Sequence, residues 1–451
     1  MRAAVRTQNY KSLSFALAVA PLALNLTVSQ PALAVAWITT SPLASPRQSH
    51  TATLLPDGKV LVAGGYDGTN ILASAELYNP ATGAWTATGA LIGKRQFHTA
   101  TLLTNGQVLV TGGFGLSHLA SAEVFNPATG MWTAAGSMSS TRQFHTATLL
   151  PDGRVLAAAG YGPSGTLLAS ADLYDASSGA WTATGRLNTA RYGQTATLLA
   201  SGKVLIAGGF SYSNNALSSA ELYDPAAGTW APTDGLGTGR RYGTATLLPN
   251  GQALVVGGLG SSGQLSSTEL YEPVSGMWQT NGALNTARNS HTATLLSGGQ
   301  VLVAGGANGG AALASVELYD PATGLWATNG AMNAARANHT ATLLLNGKVL
   351  AVGGEGLSGY LSSAEVYGTA TPTPTEIVLT GAAMLPNGAF RFAFTNTPSV
   401  AFTALATTNA ALALGDWTAL GGVTEVSSGQ FQFTDPQATN GLKRFYRVRS
   451  P

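Results

Sequence analysis

The sequence contains no cysteine, so the folded chain has no disulfide bond and no centre that depends on a thiolate. Charge is scarce as well: Asp, Glu, Lys and Arg make up 9% of the 451 residues, against about 25% in typical globular domains. Hydrophobic residues make up 45% of the chain, which excludes a disordered protein. Few charges and many apolar residues fit sheets that are covered on both faces.

Acidic residues are absent from the first 36 positions, which differ from the rest of the chain. The segment has a basic start, with Arg2, Arg6 and Lys11, followed by a small apolar stretch from Leu13 to Leu26. Small-x-small patterns lie within 32–36, and these features together predict a secretory signal peptide over residues 1–36. A membrane anchor is the alternative, although the apolar run is shorter than the roughly 20 residues that a spanning helix needs.

Removal of this leader takes away three positive charges and no negative one, so the formal charge changes from +2 to −1. No basic patch remains that would indicate nucleic-acid binding. The leader predicts a secreted, periplasmic or cell-surface protein of bacterial type, without a transmembrane span after its removal, and we expect a monomer. Because export permits disulfides and none can form here, burial alone must hold the fold together.

A pair of glycines recurs through the chain, at successive spacings of 48, 47, 49, 49, 48 and 48 residues. The first members of the pairs are Gly64, Gly112, Ala159, Gly208, Gly257, Gly305 and Gly353, where Ala159-Gly160 is the single variant. A period near fifty residues with paired glycines is typical of kelch repeats, each of which forms one blade of a β-propeller. The chain thus resembles secreted bacterial kelch-repeat proteins, and the resemblance covers residues 37–368.

The first repeat shows the four strands that we predict for each blade. The first strand lies within 50–55 and ends in the tight turn Asp57-Gly58, a dipeptide that suits two-residue hairpins. Val60–Ala63 is an unbroken apolar run, as expected of a strand covered on both faces. Ala75–Tyr78 is the third strand, and Trp85 opens the fourth. No stretch of the repeats has helical periodicity, so we predict an all-β, seven-bladed propeller.

The spacing of tryptophan and arginine predicts how this ring closes. Seven tryptophans each precede an arginine by ten residues, and the earliest is Trp37. Residues 37–41 are therefore a fourth strand without a repeat of its own, whereas the last repeat ends at Tyr367 without a tryptophan. We expect the N-terminal strand to complete the last blade, because this removes an exposed sheet edge.

Three series of seven residues recur at the period of the repeats, and a structural role is favoured over a functional one because most sites use one asymmetric position. The arginines are Arg47, Arg95, Arg142, Arg191, Arg240, Arg288 and Arg336. The acids are Glu76, Glu123, Asp172, Glu221, Glu269, Glu317 and Glu365. The tryptophans are Trp37, Trp85, Trp132, Trp181, Trp230, Trp278 and Trp326. We predict Arg–carboxylate pairs, in which the planar guanidinium holds acceptor oxygens.

Histidine follows the repeat arginine by three residues at five positions, which are His50, His98, His145, His291 and His339. A zinc site needs three or four ligands about 2.1 Å from the metal, and equivalent points on separate blades are too far apart for this. We therefore predict no metal site and no organic cofactor.

The segment after the repeats has a different pattern. Residues 369–375 alternate Thr and Pro and predict an extended linker. Residues 376–451 contain alternating aromatics such as Phe390, Phe392 and Phe394, which predict a small β-sandwich-like domain. Its closing stretch resembles a C-terminal module of exported bacterial proteins.

The resemblance implies a binding platform, since kelch propellers mostly bind proteins. Copper oxidases that resemble galactose oxidase need a Tyr–Cys crosslink, which a chain without cysteine cannot form. A kelch-like sialic-acid mutarotase has six blades, and none of its catalytic residues can be carried over. The open alternatives are therefore a module that binds a protein or glycan, a glycan-acting enzyme such as a mutarotase-like isomerase, and a structural envelope protein; the first is favoured.

Strand direction predicts where a ligand would bind. The links between blades and the loops between second and third strands must emerge on one face, and these segments vary most between repeats. Binding sites commonly lie on such loops, although drift in unconstrained loops would also make them vary. The candidate ligand-binding residues follow the repeat arginines and are Phe97, Phe144, Tyr192, Arg241, Tyr242, Asn289 and Asn338.

Overall fold

A computed structural model of the protein describes residues 12–16, 35–213, 215–369, 379–395, 402–407, 417–438 and 445–449. It divides into two compact units, one of Val35–Thr369 and one of Met1–Ala34 with Ala370–Pro451. Apart from a single 3-10 turn at Pro163–Gly165, the regular elements of the described residues are strands, so the all-β prediction is confirmed. Within these residues no helix is long and apolar enough to cross a membrane.

The larger unit contains sheets of four antiparallel strands, numbered I to VII here by their first strands. The first strands are Thr51–Leu54, Thr99–Leu102, Thr146–Leu149, Thr195–Leu198, Thr244–Leu247, Thr292–Leu295 and Thr340–Leu343. The second strands are Val60–Ala63, Val108–Thr111, Val155–Ala158, Val204–Ala207, Ala253–Val256, Val301–Ala304 and Val349–Val352. The third strands are Ala75–Asn79, Ser121–Asn126, Ala171–Asp175, Ala220–Asp224, Thr268–Glu272, Ser315–Asp320 and Ala364–Thr369.

The fourth strands of sheets I to VI are Ala84–Ala87, Met131–Ser137, Ala180–Thr184, Thr229–Thr233, Met277–Asn281 and Leu325–Ala331. In sheet VII this place is taken by Val35–Thr40, which pairs antiparallel with Ala364–Thr369. Trp37 lies opposite Tyr367 in this pairing, and their ring centroids are 5.3 Å apart. We call the face that carries the loops between second and third strands the loop face. Three of these loops form short hairpins, which pair Phe210–Ser211 with Asn215–Ala216, Ala307–Asn308 with Ala311–Ala312, and Glu355–Gly356 with Gly359–Tyr360.

The second strands are apolar throughout because neighbouring sheets cover both of their faces. In sheet I, Leu61 and Ala63 pack in one cluster with Val108 of sheet II. Val60 and Val62 point the other way and pack in a separate cluster with residues of sheet VII. Successive side chains of a strand point to opposite faces, so each second strand belongs to two cores.

The paired glycines allow the chain of the next repeat to come close. Gly64 has a φ of 64°, and a Cβ atom there would lie 2.5 Å from the carbonyl oxygen of Arg95. Gly65 has a φ of 103°, which side chains of L-residues rarely adopt. Ala159, the single variant in the series, takes the same left-handed conformation with a φ of 62°.

A circle of backbone hydrogen bonds joins the seven sheets. Each donor and acceptor lies two residues after a repeat arginine, and we call these residues the inner ring: Ser49, Phe97, Phe144, Gly193, Tyr242, Ser290 and Asn338. Each N–H donates to the carbonyl of the preceding member over 2.9 to 3.3 Å, and Ser49 donates to Asn338, so the circle is complete. All seven have a φ between 52° and 66°.

Each repeat arginine is buried and holds the loops of its own sheet. Arg288 Nη1 donates to the carbonyls of Gly305 and Ser315, at 2.7 and 2.9 Å, and Nη2 donates to Glu317 Oε1 at 2.7 Å. Glu317 Oε2 in turn accepts the backbone N–H of Asn285 at 2.7 Å. The pairs of this type are Arg47–Glu76, Arg95–Glu123, Arg142–Asp172, Arg191–Glu221, Arg240–Glu269, Arg288–Glu317 and Arg336–Glu365.

Six of the repeat tryptophans link neighbouring sheets at their outer strands, whereas the buried Nε1 of Trp37 has no partner among the described residues. Trp132 Nε1 donates to the carbonyl of Gly89 at 2.8 Å, and Trp85 does the same to Ser41 at 2.8 Å. The ring of each packs on the aromatic side chain opposite in the third strand, as Trp85 does on Tyr78 with centroids 5.0 Å apart. These contacts are those of packing and hydrogen-bonding residues.

The smaller unit contains two four-stranded sheets. One is formed by Leu379–Met384, Phe390–Thr395, Gln430–Asp435 and Thr424–Ser427 in that order. The other is formed by Ser12–Ala16, Phe445–Arg449, Thr403–Thr407 and Thr418–Gly422. Phe390, Phe392, Phe394 and Phe431 of the first sheet pack against Tyr446 and other residues of the second.

Two predictions fall largely outside the described residues. The predicted linker lies outside them except for Thr369, which ends a strand. Of the predicted leader, residues 1–36, the structure describes Ser12–Ala16 and the last two residues, Val35 and Ala36. The cleavage of the leader stays a prediction.

Candidate functional site

The residues after each repeat arginine lie where the loop face meets the inner ring. The first of them pairs with the residue that follows the two glycines, as Tyr192 does with Phe210 and Arg241 with Leu259. The second belongs to the inner ring, where its left-handed backbone is fixed by two backbone hydrogen bonds. The backbone is thus fixed by hydrogen bonds at both positions, while the side chains differ from sheet to sheet.

Sheets II to V bring four of the predicted residues into one aromatic cluster. Phe97 and Phe144 have ring centroids 4.3 Å apart, and Phe144 lies 5.8 Å from Tyr192 and 5.9 Å from Tyr242. Tyr192 and Tyr242 are 6.2 Å apart in an edge-on arrangement. Aromatic pairs prefer such separations and angles, so the rings support one another.

The cluster continues into residues that the sequence analysis did not select. A cleft of about 200 Å³ is lined by Phe144, Tyr161, Tyr192, Phe210, Tyr212 and Tyr242. Tyr161 and Phe210 directly follow the glycine pair of their repeats, and this position was the available signal. Tyr212 is 66% exposed, and its hydroxyl donates to the carbonyl of Gly165 at 2.5 Å.

Gly193 makes the close packing of this cluster possible. It is the only glycine in the inner ring, and the ring of Tyr242 lies over it. A Cβ atom at Gly193 would approach Tyr242 Cε1 to 2.9 Å, which is too close for a real contact. The missing side chain therefore lets the Tyr242 ring reach back towards Phe144. Burial raises the pKa of Tyr242 above its ordinary value, so its phenol stays protonated.

Arg241 covers one side of the cluster. Its Cζ lies 4.7 Å from the centroid of the Phe210 ring and 5.8 Å from that of Tyr242. A guanidinium over an aromatic face is attracted by the negative charge of the ring face. Among the residues that the structure describes, no carboxylate forms a salt bridge with Arg241 and no group accepts a hydrogen bond from its side chain.

Asn289 and Asn338, the remaining predicted residues, lie outside the aromatic cluster on sheets VI and VII. Asn289 donates from Nδ2 to Ser290 Oγ at 3.0 Å, and its buried Oδ1 has no partner in the described part of the chain. Asn338 is exposed and donates to Gln48 Oε1 at 3.4 Å. The inner ring is therefore aromatic on one side and amide- and hydroxyl-bearing on the other.

The five repeat histidines are buried between first strands rather than gathered at the cleft. His291 Nε2 contacts Thr244 Oγ1 of the preceding sheet at 2.9 Å, and His50 contacts Thr340 at 3.0 Å. Burial, with the neighbouring Arg288, lowers the pKa of His291 to about 3. These histidines are consequently neutral at ordinary pH and tie one sheet to the next.

A chain built of successive sheets of four antiparallel strands has a β-propeller-like all-β fold. Residues 144–354 match the family model of the KLHDC2/KLHL20/DRC7 Kelch-repeats domain, and residues 49–88 match that of the Kelch motif. The prediction of kelch repeats is confirmed over these residues.

Among solved structures, the chain is similar to a fungal alcohol oxidase of the AA5 family in complex with copper. The TM-score is 0.61 and the sequence identity 16%, over 89% of this chain and 92% of that one. At this identity the likeness shows the fold alone. None of the curated proteins matches the chain.

Proposed function

We propose that residues 35–369 form a seven-bladed kelch propeller, closed by its own N-terminal strand, and that the exported protein binds a protein or glycan on the loop face. The seven sheets, the complete circle of hydrogen bonds and the pairing of Val35–Thr40 with Ala364–Thr369 support the architecture. The predicted leader supports export.

The observation that carries the binding function is the aromatic cleft. Six rings from the loop face line one concave surface, and Arg241 stacks beside them without an acidic partner among the described residues. Tyrosine and arginine are frequent anchors of binding energy because they offer large contact areas with a polar end. A protein that used this face only as a scaffold would have no need of a half-exposed aromatic surface there.

The alternative of a glycan-acting enzyme has less support. Isomerases and hydrolases of glycans need acid–base groups at the reacting carbon, and the cleft is lined by phenol and phenyl rings. The acids of the repeats hold arginines instead. A shallow aromatic cleft favours binding over turnover.

Copper, which the similar oxidase contains, does not fit the residues present here. The described residues contain no group of three or more His, Asp or Glu side chains placed to hold a metal ion. The repeat histidines contact threonines of neighbouring sheets through Nε2. We derive no step through copper, and the absence of a cofactor stays a prediction that elemental analysis can test.

Arrays of glycans and peptides, probed with the mature protein, test this function. With any ligand found, Tyr192→Ala and Arg241→Ala should each weaken binding at least about tenfold, or roughly 1.4 kcal/mol. Both positions have an ordinary φ, so the variants should leave the inner ring intact.

Matched controls lie in the turns between third and fourth strands, on the opposite face. Asn79 and Asn126 each accept the N–H two residues ahead at 3.0 Å, and their replacement by alanine should leave binding unchanged. Equal losses on both faces, or losses at the controls alone, would overturn the assignment.

A further inference from the structure

Arg241 indicates the charge of the ligand, if the loop face binds one as proposed. Its neighbour in sequence, Arg240, lies 2.5 Å from Glu269 and is neutralised by it. Among the described residues, the guanidinium of Arg241 forms no salt bridge, and its Cζ lies over the rings of Phe210 and Tyr242. These rings cover the flat side of the guanidinium, while a carboxylate binds in the plane of its N–H groups. A cation that can still pair with an anion therefore lies beside the cleft, over two of the rings that line it.

Two neutral acceptors flank this cation at equivalent positions of the repeat. Gln143, Tyr192, Arg241 and Asn289 each follow a repeat arginine, in sheets III, IV, V and VI. Gln143 Oε1 and Asn289 Oδ1 are buried and have no hydrogen-bond partner among the residues that the structure describes. A buried acceptor without a partner costs free energy, and a ligand hydroxyl would satisfy it if the amide turned so that its oxygen became accessible. The arc therefore offers, in order, an acceptor, a ring, a cation and an acceptor.

We propose that the cleft binds a sugar ring that carries a carboxylate, such as a uronic acid unit of an acidic polysaccharide. The carboxylate pairs with Arg241, and the C–H face of the sugar lies on Tyr192 and Tyr242. The C–H bonds carry slight positive charge and meet the negative ring faces. The hydroxyls of the sugar donate to the side-chain oxygens of Gln143 and Asn289 once these amides turn towards it. A cleft of about 200 Å³ suits a single ring rather than an extended surface.

An acidic peptide is less well matched to the same residues. Peptides commonly bind by adding a strand to a free sheet edge. Around this cleft the backbone groups are already used: the inner ring closes on itself, and Tyr192 pairs with Phe210 and Arg241 with Leu259. Recognition at this site must come from side chains alone, which suits a hydroxyl-rich ring.

The test compares oligosaccharides of galacturonate, glucuronate and mannuronate with their methyl esters, which keep the rings and remove the charge. We expect at least one uronate to bind, and its ester to bind at least tenfold more weakly. Arg241→Gln should lower the affinity for the acid form at least tenfold and change the affinity for the ester less than twofold. Arg186→Gln, which removes an exposed charge, is the control and should bind as the unaltered protein does.

Each other result has a definite meaning. An ester that binds as tightly as its acid would overturn the carboxylate inference and leave glycan binding in place. Binding of oligoglutamate with the same dependence on Arg241, and of no uronate, would overturn the sugar class alone. If no uronate binds, and the arrays yield another ligand whose binding is lost in Tyr192→Ala, the inference is overturned and the proposed function is supported. No ligand of any class would overturn both.

Discussion

Two adjacent arginines, Arg240 and Arg241, belong to two different sets of residues. We call the residues that recur in each repeat the repeated layer and those that differ from repeat to repeat the variable layer. Arg240 is 2% exposed and donates to Gly257 O at 2.8 Å and to Glu269, as the equivalent arginine does in every sheet. Arg241 is half-buried, lies on aromatic rings and has no acidic partner among the described residues. Both side chains carry the same charge, but among the described residues only the charge of Arg240 is paired with a carboxylate. The repeated layer thus serves the fold, and the variable layer beside it is free to serve a ligand.

The strongest test of the repeated layer is the loss of its N-terminal strand. Deletion of residues 35–42 should lower the free energy of unfolding by several kcal/mol, because sheet VII loses a strand and the buried Trp37. Urea unfolding and light scattering measure the effect, since the exposed edge of Ala364–Thr369 should also promote aggregation. An unchanged unfolding midpoint without aggregation would contradict the role of this strand.

A smaller effect should separate the two layers directly. Arg288→Ala leaves Glu317 buried without its cation and should cost about 3 kcal/mol of stability. Arg241→Ala loses only a stacking contact and should cost about 1 kcal/mol or less. Chemical denaturation of both variants checks this order.

Ligand binding should show the reverse order in the same two variants. Arg288→Ala, below its new melting temperature, should bind as the unaltered protein does, and Arg241→Ala should not. If Arg288→Ala kept its stability and lost binding, the repeat arginines would be functional residues.

The pH dependence of stability should also come from the repeated layer. Burial lowers the folded-state pKa of His291 to about 3, whereas the unfolded chain takes up a proton near pH 6.5. The stability that a buried, neutral histidine contributes is therefore fully present above pH 6.5 and is lost as the pH falls towards 3. At pH 5 the loss is on the order of 2 kcal/mol per buried histidine.

His291→Gln tests this, because Gln194 already occupies the equivalent position in sheet IV, where it is buried. The variant should be less stable than the unaltered protein at pH 7.5 and lose less stability between pH 7.5 and pH 5. Gln194→His should lose more stability than the unaltered protein does over the same pH range. Parallel stability curves for all three proteins would contradict a neutral, buried histidine.

Much of the repeated layer could be predicted, since its landmarks recur at fixed spacing. Strand order, the turn at Asp57-Gly58 and the position of Trp37 in the last sheet follow from counting residues between equivalent positions. The charge balance of Arg and Glu in every repeat likewise indicates pairs, and the structure places them together.

The cleft was harder to predict because it depends on loops without a period. Phe144, Tyr192 and Tyr242 could be selected from their position after the repeat arginine, and they lie together. Tyr161 directly follows the glycine pair of its repeat, a fixed position that could have been selected, whereas Tyr212 lies in a loop of variable length, so no spacing pointed to it. Asn289 belongs to the same series as Tyr192 but lies beyond the aromatic cluster, since position in a repeat fixes the backbone and not the neighbours.

The pairing of Val35–Thr40 with Ala364–Thr369 has a consequence for how the molecule is made. Synthesis delivers the first of these strands well before its partner, and Trp37 meets Tyr367 only after the 329 residues between them have emerged. Until then sheet VII lacks its outer strand, and the circle through Ser49 and Asn338 is open. Contacts between such distant residues form slowly. The last step of folding must therefore wait for nearly the whole repeat array, and a chain truncated before residue 364 keeps an unpaired strand at its N-terminal side.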